Sequence, residues 1–491
     1  IEQKSYYFTL YYYDQAGNLV ATVPPEGVLV LPDEELDDVE IARAASTSYT
    51  FADPHELVSY YVYNSLNQLK WQKTPDAGVS EFWYDGLGRL VLSQNASQNE
   101  TFTIDDAVLW SKFSYSKFDN LGRINEVGQI TLVDAITGET DEEKDDFNEL
   151  ISDHVGFPEY LSPIDREEVI HTFYDAVPYP ALAETPPFGA DGQENLRKRI
   201  ATVLYQDAYD DTWADYQHAT HYTYDIHGNV FSLIQDNPSL ESFGEQFKKI
   251  DYDYDLVSGN VNKVSYQEGD VDQFYHMYLY DADNRIEEVY SSDNGYYYSK
   301  EAEYQYYRHG PLARTVTGPL QVQGTDYAYT IQGWLKGVNA GAINSLRDMG
   351  KDGYIAGGND NQYIAADAFG FILHYFDGDY AQIETGIPSF VPSYSGSDLD
   401  NASADLFNGN IKSMVTALRQ TDGTEAPVLG KAYVYDQLNR LQESISFEAE
   451  DLHEIGLFSW AGREYTDKWG TAYTYDGNGN IKTMKRAGDD D

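Results

Sequence analysis

The 491-residue sequence contains no cysteine, which excludes a disulfide scaffold and every cysteine-ligated metal or cluster site. Positive charge is scarce: 32 Lys and Arg stand against 82 Asp and Glu, a formal net charge of −50. That balance argues against nucleic-acid binding, which needs clustered cations on phosphates, and against electrostatic docking on an anionic membrane. Long hydrophobic runs are also missing. Stretches such as Gly27-Val28-Leu29-Val30-Leu31 and Phe369-Gly370-Phe371-Ile372-Leu373 are far too short to cross a bilayer. The first residue is Ile1 and no basic segment precedes an apolar one, so a piece of a longer polypeptide is expected.

Aromatics, at 15% and with 44 tyrosines, are abundant and argue against global disorder despite the charge. The length matches about three average domains, although all-β architectures run longer as one unit.

One phrase recurs: Tyr-Asp, two variable residues, Gly, then Asn or Arg, then an aliphatic. It reads Tyr13-Asp14-Gln15-Ala16-Gly17-Asn18-Leu19, and returns at Tyr84-Asp85 with Gly88, Phe118-Asp119 with Gly122, Tyr224-Asp225 with Gly228, and Tyr475-Asp476 with Gly479. Asparagine replaces the glycine in Tyr280-Asp281 with Asn284 and in Tyr435-Asp436 with Asn439; Tyr63-Asn64 with Asn67 has asparagine at both key places. Tyr254-Asp255 reaches Gly259 with one extra residue, and weaker copies begin at Tyr306 and Tyr329.

Aromatics alternate before each turn, as in Tyr11 and Tyr13 or Tyr278 and Tyr280, and period two places both rings on one strand face. Asp suits the first place of a type I turn, where its carboxylate accepts a backbone N–H two residues on. Gly three residues later suits the left-handed place of a bulged hairpin, with Asn the usual substitute. The phrase is therefore a strand, a tight turn and a returning strand. A single Asp-x-x-Gly is common; about eleven copies in register are a strong signal.

These residues resemble the YD repeats of Rhs proteins, of the C component of Tc toxins and of teneurins. Longer phrases, including Trp71-Gln72-Lys73-Thr74-Pro75-Asp76-Ala77-Gly78 and His309-Gly310-Pro311-Leu312-Ala313-Arg314-Thr315, resemble Rhs-type proteins of Bacteroidota. The resemblance implies an all-β fold in which hairpins join edge to edge into one long sheet that spirals into a hollow shell, often around a C-terminal toxin domain. It implies an encapsulating rather than enzymatic role, no cofactor, no metal, and a partner in the enclosed effector of the same polypeptide. Export by a secretion machine, type IX in Bacteroidota, and a secreted or cell-surface location follow from it too. The alternative is a surface adhesion protein that binds glycans or proteins, as in teneurins. Family members cut themselves through paired aspartates in a core marked Asp-Pro-x-Gly. Here the only Asp-Pro, Asp53-Pro54, is followed by His55-Glu56, so the core and toxin are expected outside this chain.

The repeats break at about 23–57, 126–218 and 337–429. These breaks are read as acidic loops decorating one repeat sheet over 1–491, with further strands or short helices allowed in the last. No nucleophile elbow, phosphate loop or zinc-protease motif is present. His218 and His221 lie three apart, on opposite faces of a strand, which disfavours shared metal ligation. Asp251, Asp253 and Asp255 share a face and read as a solvated one.

Overall fold

A computed structural model describes residues 7–30, 33–47, 55–99, 102–103, 109–133, 151–153, 155–156, 165–176, 186–189, 192–213, 215–339, 341, 343, 347–355, 359–381, 402–420, 427–449 and 465–488. The chain is all-β; among the described residues it carries the α-helix Asp33–Ala45, two helical residues at 151–152, and short 3-10 turns at Pro25–Gly27 and Pro238–Phe243. Among the described residues no helix is long and apolar enough to cross a membrane.

Two compact units are present, one comprising 1–252 and 266–270, the other 253–265 and 271–491. In the first, strands follow one another in antiparallel pairs from Leu10–Tyr13 and Leu19–Val23 through Gly78–Tyr84, Leu90–Gln94, Leu109–Phe118 and Ile124–Val133 to His218–Tyr224 and Val230–Asp236. In the second, the same next-neighbour order runs from Phe274–Tyr280 and Ile286–Ser292 to Tyr465–Tyr475 and Ile481–Arg486. Pairing of sequence neighbours is what consecutive short turns dictate. Gln323–Tyr329 pairs its first half with Leu312–Thr317 and its second half with Leu335–Val338.

The breaks between repeats are narrower than the spacing of the Tyr-Asp phrases indicates. The range 126–218 contains most of Ile124–Val133 and all of Asp165–Tyr174 and Ile200–Ala208, each paired to its neighbours. The range 337–429 contains Phe369–His374 and Ser413–Leu418. The range 23–57 holds the helix Asp33–Ala45. These strands lack the Tyr-Asp-x-x-Gly phrase intact, so the turn chemistry that exposes the other strands in the sequence is silent there. The acidic run 141–146, the Pro-rich 177–180 and Asp53-Pro54 lie outside the described residues.

Period-two patterning supplies the cores. Phe113 and Tyr115 on one strand and Ile130 and Leu132 on the next pack with Trp83, Val91, Leu92 and Ile151 in the first unit. Leu204, Tyr216 and Ala219 form a smaller cluster there. In the second unit Ile343, Val415, Ala417, Val428, Ala432 and Phe447 come together.

Candidate functional site

The repeated turn is the most elaborate feature of the molecule, and its construction is the same from copy to copy. The backbone N–H of the first turn residue donates to the carbonyl four residues on: Asp14 to Asn18, Asp85 to Arg89, Asp119 to Arg123, Asp225 to Asn229, Asp281 to Arg285, Asp436 to Arg440 and Asp476 to Asn480. The N–H three residues on returns to the carbonyl of that first residue, from Gly17, Gly88, Gly122, Gly228, Asn284, Asn439 and Gly479. These seven residues have φ between 61° and 102°, where a β-branched side chain would be strained. Asn64 with Asn67 and the longer Asp255 with Gly259 close the same way. Strand register slips by one residue at Tyr13, Tyr63, Tyr84, Phe118, Tyr224, Tyr280, Tyr306, Tyr329, Tyr435 and Tyr475, as a bulge beside the turn requires.

The carboxylate organises each turn from within. Asp281 Oδ1 accepts the N–H groups of Asp283 and Arg285, both at 2.9 Å, while its Oδ2 takes Arg285 Nε at 2.7 Å. Asp119 and Arg123, and Asp436 and Arg440, repeat this pattern. Hydrogen bonds from Asn18, Ser258, Arg285 and Asn480 hold the carboxyls of Asp14, Asp255, Asp281 and Asp476 below their ordinary range. Burial pushes Asp85, Asp119, Asp225 and Asp436 upward, but the hydrogen bonds outweigh it and these acids too are lowered.

The fourth residue after the Asp reaches the next hairpin. The Arg89 guanidinium lies 4.4 Å from the ring centre of Phe118, Arg123 4.1 Å from Tyr174, Arg285 4.3 Å from Tyr306, and Arg440 4.7 Å from Tyr475. The hydroxyl of the stacked tyrosine then donates to the carbonyl of the residue that follows the arginine: Tyr174 to Ile124 at 3.0 Å, Tyr306 to Ile286 at 2.7 Å, and Tyr475 to Leu441 at 2.6 Å. Tyr84 on Leu69, Tyr280 on Val261 and Tyr435 on Ile411 use the same hydroxyl bond without an arginine. Burial pushes the hydroxyls of Tyr84, Tyr280, Tyr306 and Tyr435 up, which keeps them as donors. The turns at Asp119, Asp281 and Asp436 are thus a relay from carboxylate to guanidinium to aromatic ring to the carbonyl of the hairpin before it.

Sequence reasoning placed the turn residues but missed the role of the arginines. It also missed one copy. Asp175 N–H donates to Arg199 O at 3.1 Å, Tyr174 carries the hydroxyl bond to Ile124, and Arg199 lies 5.4 Å from Tyr224. This is a repeat whose tip is opened by about twenty residues and whose Asp175 carboxylate is taken by Lys198 N–H and Arg123 in place of Arg199; Tyr-Asp at 174–175 and Arg-Ile at 199–200 were its signal. Tyr13, in the first described strand, is largely exposed. Tyr329 meets Tyr307 edge to face at 6.4 Å, and Tyr307 donates its hydroxyl to Tyr327 O.

His221 is buried between Thr202 Oγ1 at 3.0 Å and Asp236 Oδ2 at 3.4 Å, and His218 stacks on Tyr205. Among the described residues no group of three or more His, Asp or Glu is arranged to hold a metal ion. Lys336 is fully buried, 2.7 Å from Asp379 and 3.1 Å from His374 Nδ1; burial brings its ammonium down to about 8.

An all-β protein of consecutive antiparallel hairpins, tied turn to turn, is the class these observations define. No family model matches the chain, and no curated protein matches it. Solved structures do. TcdB2-TccC3 without its hypervariable C-terminal region aligns over 98% of this chain at a TM-score of 0.54 and 13% identity. The Tc holotoxin pore of Photorhabdus luminescens aligns over 97% at a TM-score of 0.53 and 13% identity. The chain spans 18% and 17% of those two chains. At that identity the likeness is one of fold: the chain has the Rhs/YD-type fold present in those assemblies.

Proposed function

We propose that this chain is a wall segment of an encapsulating shell, built of YD repeats, that sequesters and delivers a C-terminal effector domain of the same polypeptide. The observation that carries this reading is the turn relay. It joins hairpin to hairpin through the backbone carbonyl, so the wall extends by repetition without a dedicated core at each step. The shared fold with part of TcdB2-TccC3 supports the same reading. The wall itself is non-enzymatic and needs no cofactor. The protein is secreted or displayed on a bacterial surface, with a type IX machine as export partner in a Bacteroidota host. Electron cryomicroscopy of the full-length polypeptide tests the proposal. Compact density enclosed by the sheet and continuous with the C-terminal end is expected; an open, empty sheet would overturn it.

One observation favours a second reading, surface adhesion. Tyr296 and Tyr297 are 88% and 83% exposed on a turn fixed by Asn294 Oδ1, which accepts both their N–H groups. Rings presented this way suit glycan or protein surfaces, and the empty-sheet outcome would move the assignment there.

A further inference from the structure

The second unit contains a group of buried charges unrelated to the turns. Arg314, on Leu312–Thr317, pairs across the sheet with Asp326 on Gln323–Tyr329. Its other nitrogen, Nη2, is 2.5 Å from Asp352 Oδ1. Asp348 and Asp367 complete the set. Exposure is 3% for Asp348, 0% for Asp352, 4% for Asp367, 5% for Arg314 and 8% for Asp326. Two carboxyls, those of Asp326 and Asp352, therefore pair with the guanidinium away from water, and those of Asp348 and Asp367 are buried without it.

The packing around the guanidinium is fixed. A Cβ placed on Gly324 or on Gly350 would overlap the guanidinium, so the plane of Arg314 slots between two glycine faces. Asn361 Nδ2 holds Gly350 O at 2.8 Å, and Ala365 N–H donates to Val322 O at 2.7 Å. The cluster consequently bridges three pieces of chain: the two strands, the segment 347–355, and the approach 359–367 to the strand Phe369–His374.

The hydrogen bonds do not close. Both carboxyl oxygens of Asp367 lack a partner, as do Asp348 Oδ2 and Asp352 Oδ2. Arg419 donates its Nε to the Asp367 backbone carbonyl at 2.9 Å and not to the carboxyl. Unpartnered buried carboxylates cost several kcal/mol each unless they take up protons or a cation. Asp348, Asp352, Asp367 and Asp326 are not arranged as metal ligands, which leaves the proton.

We propose that the Arg314 cluster is a proton-operated latch: with Asp348 and Asp367 protonated it clamps the segments 347–355 and 359–367 onto the strands, and proton release frees them. Burial pushes Asp348 up to about 6 and Asp367 up to about 8, the neighbouring aspartates adding to both; Arg314 pulls Asp367 back only in part. Asp326 and Asp352 are raised by burial and drawn down by Arg314, their ion-pair partner. In the released state these acids return to ordinary values near 4. The clamp is therefore fully set below about pH 4 and weakens as pH rises. Opening releases a proton from Asp367 throughout the interval from about 4 to about 8, and from Asp348 only up to about 6.

Hydrogen exchange of the 491-residue chain from pH 5 to 9, corrected for intrinsic rates, tests this. The reporters are the N–H groups of Ala365, bonded to Val322 O, and Gly353, bonded to Asn361 O. Protection is expected to fall about tenfold per pH unit between 6 and 8, to fall faster below 6, and to level off above 8. Asp367→Asn removes the slope between 6 and 8. Asp348→Asn, read below 6, keeps the proposal testable if Asp367→Asn does not fold. Protection that is flat across this range, or slopes unchanged in both variants, would overturn the proposal. So would calcium ions restoring protection at pH 9 in the unaltered chain but not in Asp367→Asn, which would make the cluster a cation site.

Discussion

The hairpins between Gly78 and Val133 and those between Phe274 and Tyr306 are built from the same repeat, yet they are held differently. The first set is packed on one face: Phe113, Leu92, Ile130 and Leu132 are almost wholly buried, and Trp83 meets Phe113 edge to face at 5.6 Å. In the second set Tyr275 and Ala302 are the only apolar side chains that reach full burial. It is held by its ladder, by the Asp281–Arg285–Tyr306 relay, and by Lys300 bridging Glu288 and Glu303 while Tyr290 donates to Glu288. The comparison separates two roles. The turn relay makes the repeat, and the apolar face is an addition present only where a neighbouring segment, here the one carrying Ile151, covers it.

The largest break of this comparison is Phe113→Ala. Emptying that site should cost about 3–5 kcal/mol in the hydrogen-exchange stability of Leu109–Phe118, and leave Phe274–Tyr280 unchanged. Asp85→Ala comes next. Its carboxylate serves the N–H groups of Leu87, Arg89 and Gly156 and the Arg89 side chain, so about 2–3 kcal/mol should be lost. Asp281→Ala, in an exposed turn, should lose measurably less by the same exchange assay. Tyr306→Phe deletes one hydroxyl bond and should cost about 1 kcal/mol. The converse, Phe118→Tyr, supplies a hydroxyl at the one arginine-stacked ring of these relays that lacks it, and should gain up to about 1 kcal/mol. The smallest effect is expected for Asn284→Gly, within about 0.5 kcal/mol, because glycine also adopts the φ of 61° found there.

Acid separates the regions by sign. The turn aspartates are lowered, so the stability they lend is present above about pH 4 and lost as pH falls through their folded values. The Arg314 cluster behaves in the opposite sense. Exchange profiles from pH 2.5 to 8 should show turn amides losing protection at the acid end, where the reporters Ala365 and Gly353 are most protected.

What was legible in the sequence follows the range of the interactions. Asp281, Asn284 and Arg285 lie within five residues, and a left-handed backbone position is written in Gly or Asn, so the turns could be read locally. The copy at Tyr174-Asp175 could not, because its two halves are parted by about twenty residues. The arginine stacking was hidden for the same reason: Arg123 and Tyr174 are 51 positions apart in the numbering and meet only once the strands pair. The cluster at Arg314, Asp326, Asp348, Asp352 and Asp367 has no spacing motif at all. In a chain with 82 acidic residues, nothing local marks four of them as buried.

The central claim is that neighbouring hairpins are coupled through the relay. The direct measurement is a double-mutant cycle between Arg440→Met and Tyr475→Leu, read as the exchange stability of Leu441–Ala449 and Tyr465–Tyr475. The guanidinium stacks on the ring and donates to Asp476 O at 3.0 Å. A coupling of about 1 kcal/mol is predicted. Additive losses, with coupling under about 0.3 kcal/mol, would contradict the account and leave the strand ladder alone to hold the repeats together.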